Sequence, residues 1–144
     1  MADCIVYARG YKYQLRAAHA VLIPELVDLL RPVIVTPWIE LSPDGWLRFR
    51  AGYAWDGASG PTYDSKSSMR ASLYHDGGYQ LIRLGLLDHA LRATLDKIFR
   101  RICIEDRMWS ARAEIWYHLV RIFADPATDH AAESPDERAG SGCQ

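Results

Sequence analysis

The chain has 144 residues, 49% of them apolar, with 17 basic and 18 acidic side chains and a formal net charge of −1. That length suits one domain with a real core. The charge balance excludes a strongly basic surface of the kind that binds nucleic acid or anionic membranes through charge alone, so no nucleic-acid partner is expected.

Residues 3–8 and 11–16 read as short strands around Gly10. In the second, Tyr11, Tyr13 and Leu15 alternate with Lys12, Gln14 and Arg16, the period of a half-buried strand. Residues 17–23 fit strand or helix, and Pro24 opens a short helix or an extension of the strand. Residues 33–41 are β-branched and aromatic, with Pro37 marking an edge or bulge. Ser42, Pro43, Asp44 and Gly45 make a turn, and residues 46–53 alternate again, which predicts a hairpin.

The second half reads as three helices. Ser65 or Ser67 caps the first, which runs to about Leu84 and ends at Gly85. Asp88 caps the second, with Leu91, Leu95, Ile98 and Ile102 on one face. Asp106 begins the third, whose apolar stripe is Trp109, Trp116, Leu119 and Phe123. The expected fold is therefore α+β: a small antiparallel sheet, a Gly-rich loop, then three helices. Residues 1–125 form the single domain, and 126–144 read as a disordered tail. No run approaches the roughly 18 apolar residues of a spanning helix, and the first residues lack the apolar core of a secretory signal. Cys4, Cys103 and Cys143 are odd in number, widely spaced and without a C-x-x-C pair, which predicts free thiols in a reducing compartment.

The chemistry-bearing stretch lies between residues 52 and 79. The loop Trp55-Asp56-Gly57-Ala58-Ser59-Gly60-Pro61 can turn backbone carbonyls or amides toward a ligand. It feeds a helix carrying His75, Asp76 and, four residues after His75 on the same face, Tyr79. Gly77 and Gly78 each cost that helix roughly 1 kcal/mol relative to Ala, which points either to something large packed close to its backbone or to a local distortion of the helix. A hard cation such as Ca²⁺ takes carboxylate and carbonyl oxygens. Asp76, Asp56 and the loop carbonyls can supply them. His75 is then placed to take a proton from water, with Asp96 on the next helix as the carboxylate that sets its tautomer. The plain alternative is a buried polar network with no chemistry. His19, His89, His118 and His130 show no metal-ligand spacing, and Ser59 lacks the glycine pattern of a nucleophile elbow.

Two resemblances add to this reading. Gly52-Tyr53, Asp56, Ala58-Ser59, Pro61, His75-Asp76, Tyr79, Leu95-Asp96 with Phe99, and Tyr117 with Val120-Arg121 resemble the phage- and prophage-associated family named Domain of Unknown Function thirteen-fifty-three. The resemblance spans most of residues 11–124. It implies a phage origin, a place in the bacterial host cytoplasm or the virion, and other phage structural proteins as partners. It implies no activity. More loosely, Arg70, His75, Asp76 and Tyr79 are spaced as in the core of secreted phospholipases A2. That similarity implies a calcium-dependent hydrolase acting on an ester or phospholipid. His75 would activate water, Asp96 would orient it, and Asp76 would bind Ca²⁺ with the carbonyls of Trp55, Gly57 and Ser59. The disulfide-forming cysteines of that family are replaced here by Ala54, Asp56, Ala71, Ser72 and Gly78.

Overall fold

A computed structural model describes residues 4–8, 13–56, 66–123 and 136–143 of the chain. Strands β1 (Ile5–Ala8), β2 (Tyr13–Leu15), β3 (His19–Leu22), β4 (Ile34–Val35), β5 (Ile39–Leu41), β6 (Trp46–Phe49) and β7 (Ala54–Trp55) come first. Helices α1 (Lys66–Arg83), α2 (Arg92–Glu105) and α3 (Ser110–Phe123) follow, and β8 (Asp136–Ala139) comes last. The protein is α+β, as its sequence predicts. The strands form two antiparallel sheets, ordered β7-β2-β1-β8 and β3-β6-β5-β4.

The hairpin of β5 and β6 closes where the turn residues place it. The Gly45 amide donates to the Ser42 carbonyl (3.0 Å), and Ile39 pairs with Phe49 in register. Residues 33–41 do not form one strand. Thr36 Oγ1 accepts from the Ile39 amide (2.8 Å) in a local turn beside Pro37, which splits the run into β4 and β5. The helix opened by Pro24 is a single 3₁₀ turn, Pro24–Leu26.

The inner face of the second sheet, with Val21, Ile39, Leu41, Leu47 and Phe49 buried, packs toward α1. Helix α1 packs on α2, and α2 on α3. Every residue from 68 to 79 is buried, so α1 is the central element and has no solvent face along most of its length. Gly77 and Gly78 make this possible. A Cβ on Gly77 would stand 2.6 Å from Cε1 and Cζ of Phe49, and one on Gly78 would stand 2.6 Å from Cδ2 of Leu95. The large neighbours predicted from the two glycines are thus Phe49 from the sheet and Leu95 from α2. Gly77→Ala is expected to destabilise the protein by up to about 2 kcal/mol. Overpacking costs about 1–3 kcal/mol, against the roughly 1 kcal/mol gained in helix propensity. Urea unfolding measures the balance, and a stabilised variant would show that Phe49 can move aside.

Four expectations are corrected. Cys4 and Cys143 are not free but joined by a disulfide with Cα atoms 5.0 Å apart; Cys103 is the buried free thiol. The tail is not wholly unstructured, because β8 pairs with all four residues of β1; residues 124–135 lie outside those described. Asp106 does not open α3. It ends α2, its side chain turns inward to Arg70, and α3 starts at Ser110. Trp109 is 83% exposed, and the buried stripe of α3 is Ala113, Trp116 and Val120. Asp88 does cap, accepting from the Ala90 amide (2.9 Å), but the turn it caps is a 3₁₀ turn leading into α2.

Candidate functional site

His75, Tyr79 and Asp96 meet, as the sequence predicts. His75 and Tyr79 stand one helical turn apart on α1, with ring centroids 4.2 Å apart. Both reach Asp96 on α2. His75 Nε2 lies 2.6 Å from Asp96 Oδ1, and the Tyr79 hydroxyl donates to the same oxygen at 2.6 Å. The other carboxylate oxygen accepts from Arg121 Nη1 of α3 at 2.6 Å. One fully buried carboxylate therefore gathers donors from two helices besides its own.

The charges follow from this geometry. Burial alone would raise the Asp96 pKa. Hydrogen bonds from His75 and Tyr79, the charge on His75 and the bond from Arg121 outweigh burial and hold the carboxyl below its ordinary value. An ionised carboxylate can only accept, so Nε2 of His75 carries a proton and Nδ1 is the nitrogen whose state can change. Nδ1 faces Asp76 Oδ1 at 3.8 Å, an ion-pair separation too long for a hydrogen bond. Burial pulls the His75 pKa down, and the two flanking carboxylates, Asp76 and Asp96, more than restore it, leaving it above the ordinary value. The Phe99 ring stands edge-on to the imidazole, centroids 5.5 Å apart, and closes that side with hydrocarbon.

Asp76 is the least satisfied group in the centre. It is buried, and its Oδ2 has no hydrogen-bond partner among the described residues. Burial pushes its pKa up to about 6, against the pull of His75. Asp56 raises it further by charge, while the Asp56 main chain lowers it by hydrogen bonding. The structure thus brings Asp56 near Asp76, with the Asp56 side chain exposed. Trp55 is buried, and its Nε1 donates to Ser72 Oγ of α1 at 2.9 Å, which pins β7 to the central helix. Gly57 and Ser59 lie outside the described residues. Among those described, no three His, Cys, Asp and Glu side chains converge as a metal site.

Sequence reasoning gave no role to two arginines. Arg121 completes the Asp96 shell, and Arg92 Nε donates to the Tyr79 hydroxyl at 3.1 Å with its guanidinium 5.7 Å from that ring. Arg121 was visible only as a motif residue, because contacts between helices leave no local spacing. A second buried network runs on the same helix. Arg70, 1% exposed at its side chain, donates through Nε and Nη2 to Asp106 at 3.0 and 3.1 Å. Asp106 also accepts from the Ser141 amide (3.2 Å), which ties the end of α2 to the segment after β8.

Comparison with protein-family models, with curated proteins and with solved structures returns no match to this chain.

Proposed function

We propose that the chain is a phage-encoded hydrolase in which His75 is the general base for attack of water on an ester. The observation that carries this reading is the neighbouring pair of unequal carboxylates. Asp96 is saturated and fixes the imidazole through Nε2, while Asp76, beside Nδ1, keeps one buried oxygen without a partner among the described residues. A base needs its far nitrogen held and its near nitrogen reachable by water; His75 is buried, so water would have to enter from the side of residues 57–65, which lie outside those described. In its neutral form, which the raised pKa moves to higher pH, His75 Nδ1 would take the proton from water as the water oxygen bonds to the ester carbonyl carbon, and would return it to the departing alkoxide. Asp96 would keep the imidazolium oriented and charge-balanced throughout, with Tyr79 and Arg121 holding Asp96 in place.

The orphaned oxygen of Asp76 fits a hard cation, which takes carboxylate oxygen. Asp76 would hold it together with main-chain oxygen of the loop that precedes α1, for which Trp55, Gly57 and Ser59 are the candidates, and with Asp56 close by. When bound, Ca²⁺ would polarise the ester carbonyl. A phospholipid or simpler ester is the proposed substrate class, on the loose similarity to secreted phospholipases A2.

A second reading rests on the same Asp96. A carboxylate that satisfies donors on α1 and α3 while itself on α2 is a strong tertiary clamp. The protein would then be a non-enzymatic virion, tail or lysis-associated phage component, with other phage structural proteins as partners.

The two readings separate in one set of measurements. Fatty-acid release from phosphatidylcholine–phosphatidylglycerol vesicles, and from nitrophenyl esters, would be followed with millimolar Ca²⁺ and with EDTA. The hydrolase reading expects calcium-dependent turnover that falls to background in His75→Gln. It also expects a higher melting temperature in Ca²⁺, since a cation held by the native state stabilises it, and no such rise in Asp76→Asn. Absence of turnover together with an unchanged melting temperature sinks the hydrolase and leaves the clamp.

A further inference from the structure

The second sheet turns one face to α1 and the other to solvent. Register places Ala20, Arg48, Glu40 and Val35 in one row across the outer face, one from each strand. At the end of the sheet where β6 runs out, this row borders a groove of about 310 Å³. Its volume is at the lower end of the range that takes small ligands. Ala18 and Ala20 leave room in it, and Trp38 and Val35 line it with hydrocarbon. Trp38 is 45% exposed and Val35 61%.

The groove is held in shape. Gly52 has φ +98, and a Cβ there would stand 3.1 Å from the Trp38 ring, so one side of the indole lies against bare backbone. Gln14 Nε2 donates to the Gly52 carbonyl (3.2 Å) from the strand beneath. His19, also in the lining, is bonded through Nε2 to the buried Tyr74 hydroxyl at 2.6 Å, which anchors that wall to α1.

The charge of the groove is one-sided. Arg48 and Glu40 face each other at 3.4 Å and offset one another. Arg50, also in the lining, has no ion pair with any described residue, which leaves one cation over an apolar trough. We propose that this groove binds a single-chain amphiphile with a carboxylate head, its alkyl chain laid along Ala18, Ala20 and Trp38 and its head on Arg50. The groove shares no residue with the His75 centre, so the two proposals stand or fall separately.

The test is titration of the full chain with sodium decanoate below its micellar concentration, read by calorimetry and tryptophan emission. Saturable one-to-one binding is expected, at least tenfold weaker for decanol, which lacks the charge. Arg50→Glu, an exposed change that leaves the fold intact, is expected to weaken decanoate binding at least tenfold. Ala20→Phe, which fills the trough, is expected to abolish it, with circular dichroism confirming the fold. The proposal is overturned if decanoate does not saturate, if decanol binds as well, or if Arg50→Glu binds like the parent. Binding of a neutral oligosaccharide such as maltotetraose in place of decanoate would also overturn it.

Discussion

Asp96→Ala is expected to lower the unfolding free energy by about 3–5 kcal/mol, the usual cost of removing one partner from a buried charged network. The parent carboxylate is fully buried and accepts from His75, Tyr79 and Arg121. Truncation leaves the His75 nitrogen and the Tyr79 hydroxyl without their acceptor, and each must be left unmet or hydrated in a space opened by the lost side chain. Asp96→Asn is expected to fall between, since the amide can still accept from one side but presents N–H to the other. The pH dependence has a fixed sign. The folded pKa of Asp96 lies below its ordinary 3.8, so its contribution is present above pH 3.8 and is lost as pH falls through the lower folded value. The gap between parent and Asp96→Ala should therefore narrow in strong acid. Urea titrations at pH 7 and pH 3 measure this, and a gap under 1 kcal/mol at pH 7 would mean that the network is not a clamp.

The second large effect is expected at Arg70. Arg70→Met keeps most of the volume but leaves Asp106, 2% exposed at its side chain, without its guanidinium, again at a cost of about 3–5 kcal/mol. The double variant Arg70→Met, Asp106→Asn is expected to regain much of the loss. The charge then disappears with its partner, while an oxygen remains to accept from the Ser141 amide. The coupling between the two sites is read from the four-member cycle of unfolding free energies. Additive losses would mean that the buried pair is not the reason for the cost. Separately, loss of order in residues 136–143 of Asp106→Ala, seen as faster amide exchange of β8, would place the Ser141 contact among the things Asp106 holds.

Local features of this fold are legible in the sequence, and remote ones are not. The β5–β6 hairpin depends on four consecutive turn residues, so Ser42 to Gly45 disclose it. Gly77 and Gly78 disclose a close approach, though not that Phe49 and Leu95 are the side chains approaching. The pairing of His75 with Asp96 is foreseen because a helix places His75 and Tyr79 on one face and the resemblances supply a distant acid. The central position of α1 is not foreseen. A periodicity argument looks for one apolar stripe, and a helix containing Arg70, Ser72, His75 and Asp76 reads as half-exposed. Its burial rests on polar partners far away in sequence: Asp106 for Arg70, Trp55 for Ser72, Asp96 for His75. Trp109 fails for the opposite reason. Its type suggests core, but it precedes the first turn of α3 and is left outside. β8 has a polar sequence with no alternation, and only its pairing with β1 makes it a strand.

That last pairing constrains the order in which the protein can be built. Ile5 lies opposite Ala139, so β1 and β8, the first and last strands among the described residues, are neighbours in the same sheet. Closing so long a loop is entropically costly before its contacts form, and folds dominated by such contacts assemble slowly. During synthesis β1 can pair with β2 as soon as both have emerged, but its other edge stays open until β8, far away in sequence, has been made. The helices and the second sheet, whose partners are nearer in sequence, can be in place by then. The first sheet is therefore expected to be the last part to be completed, and β8 docking brings Cys4 and Cys143 together.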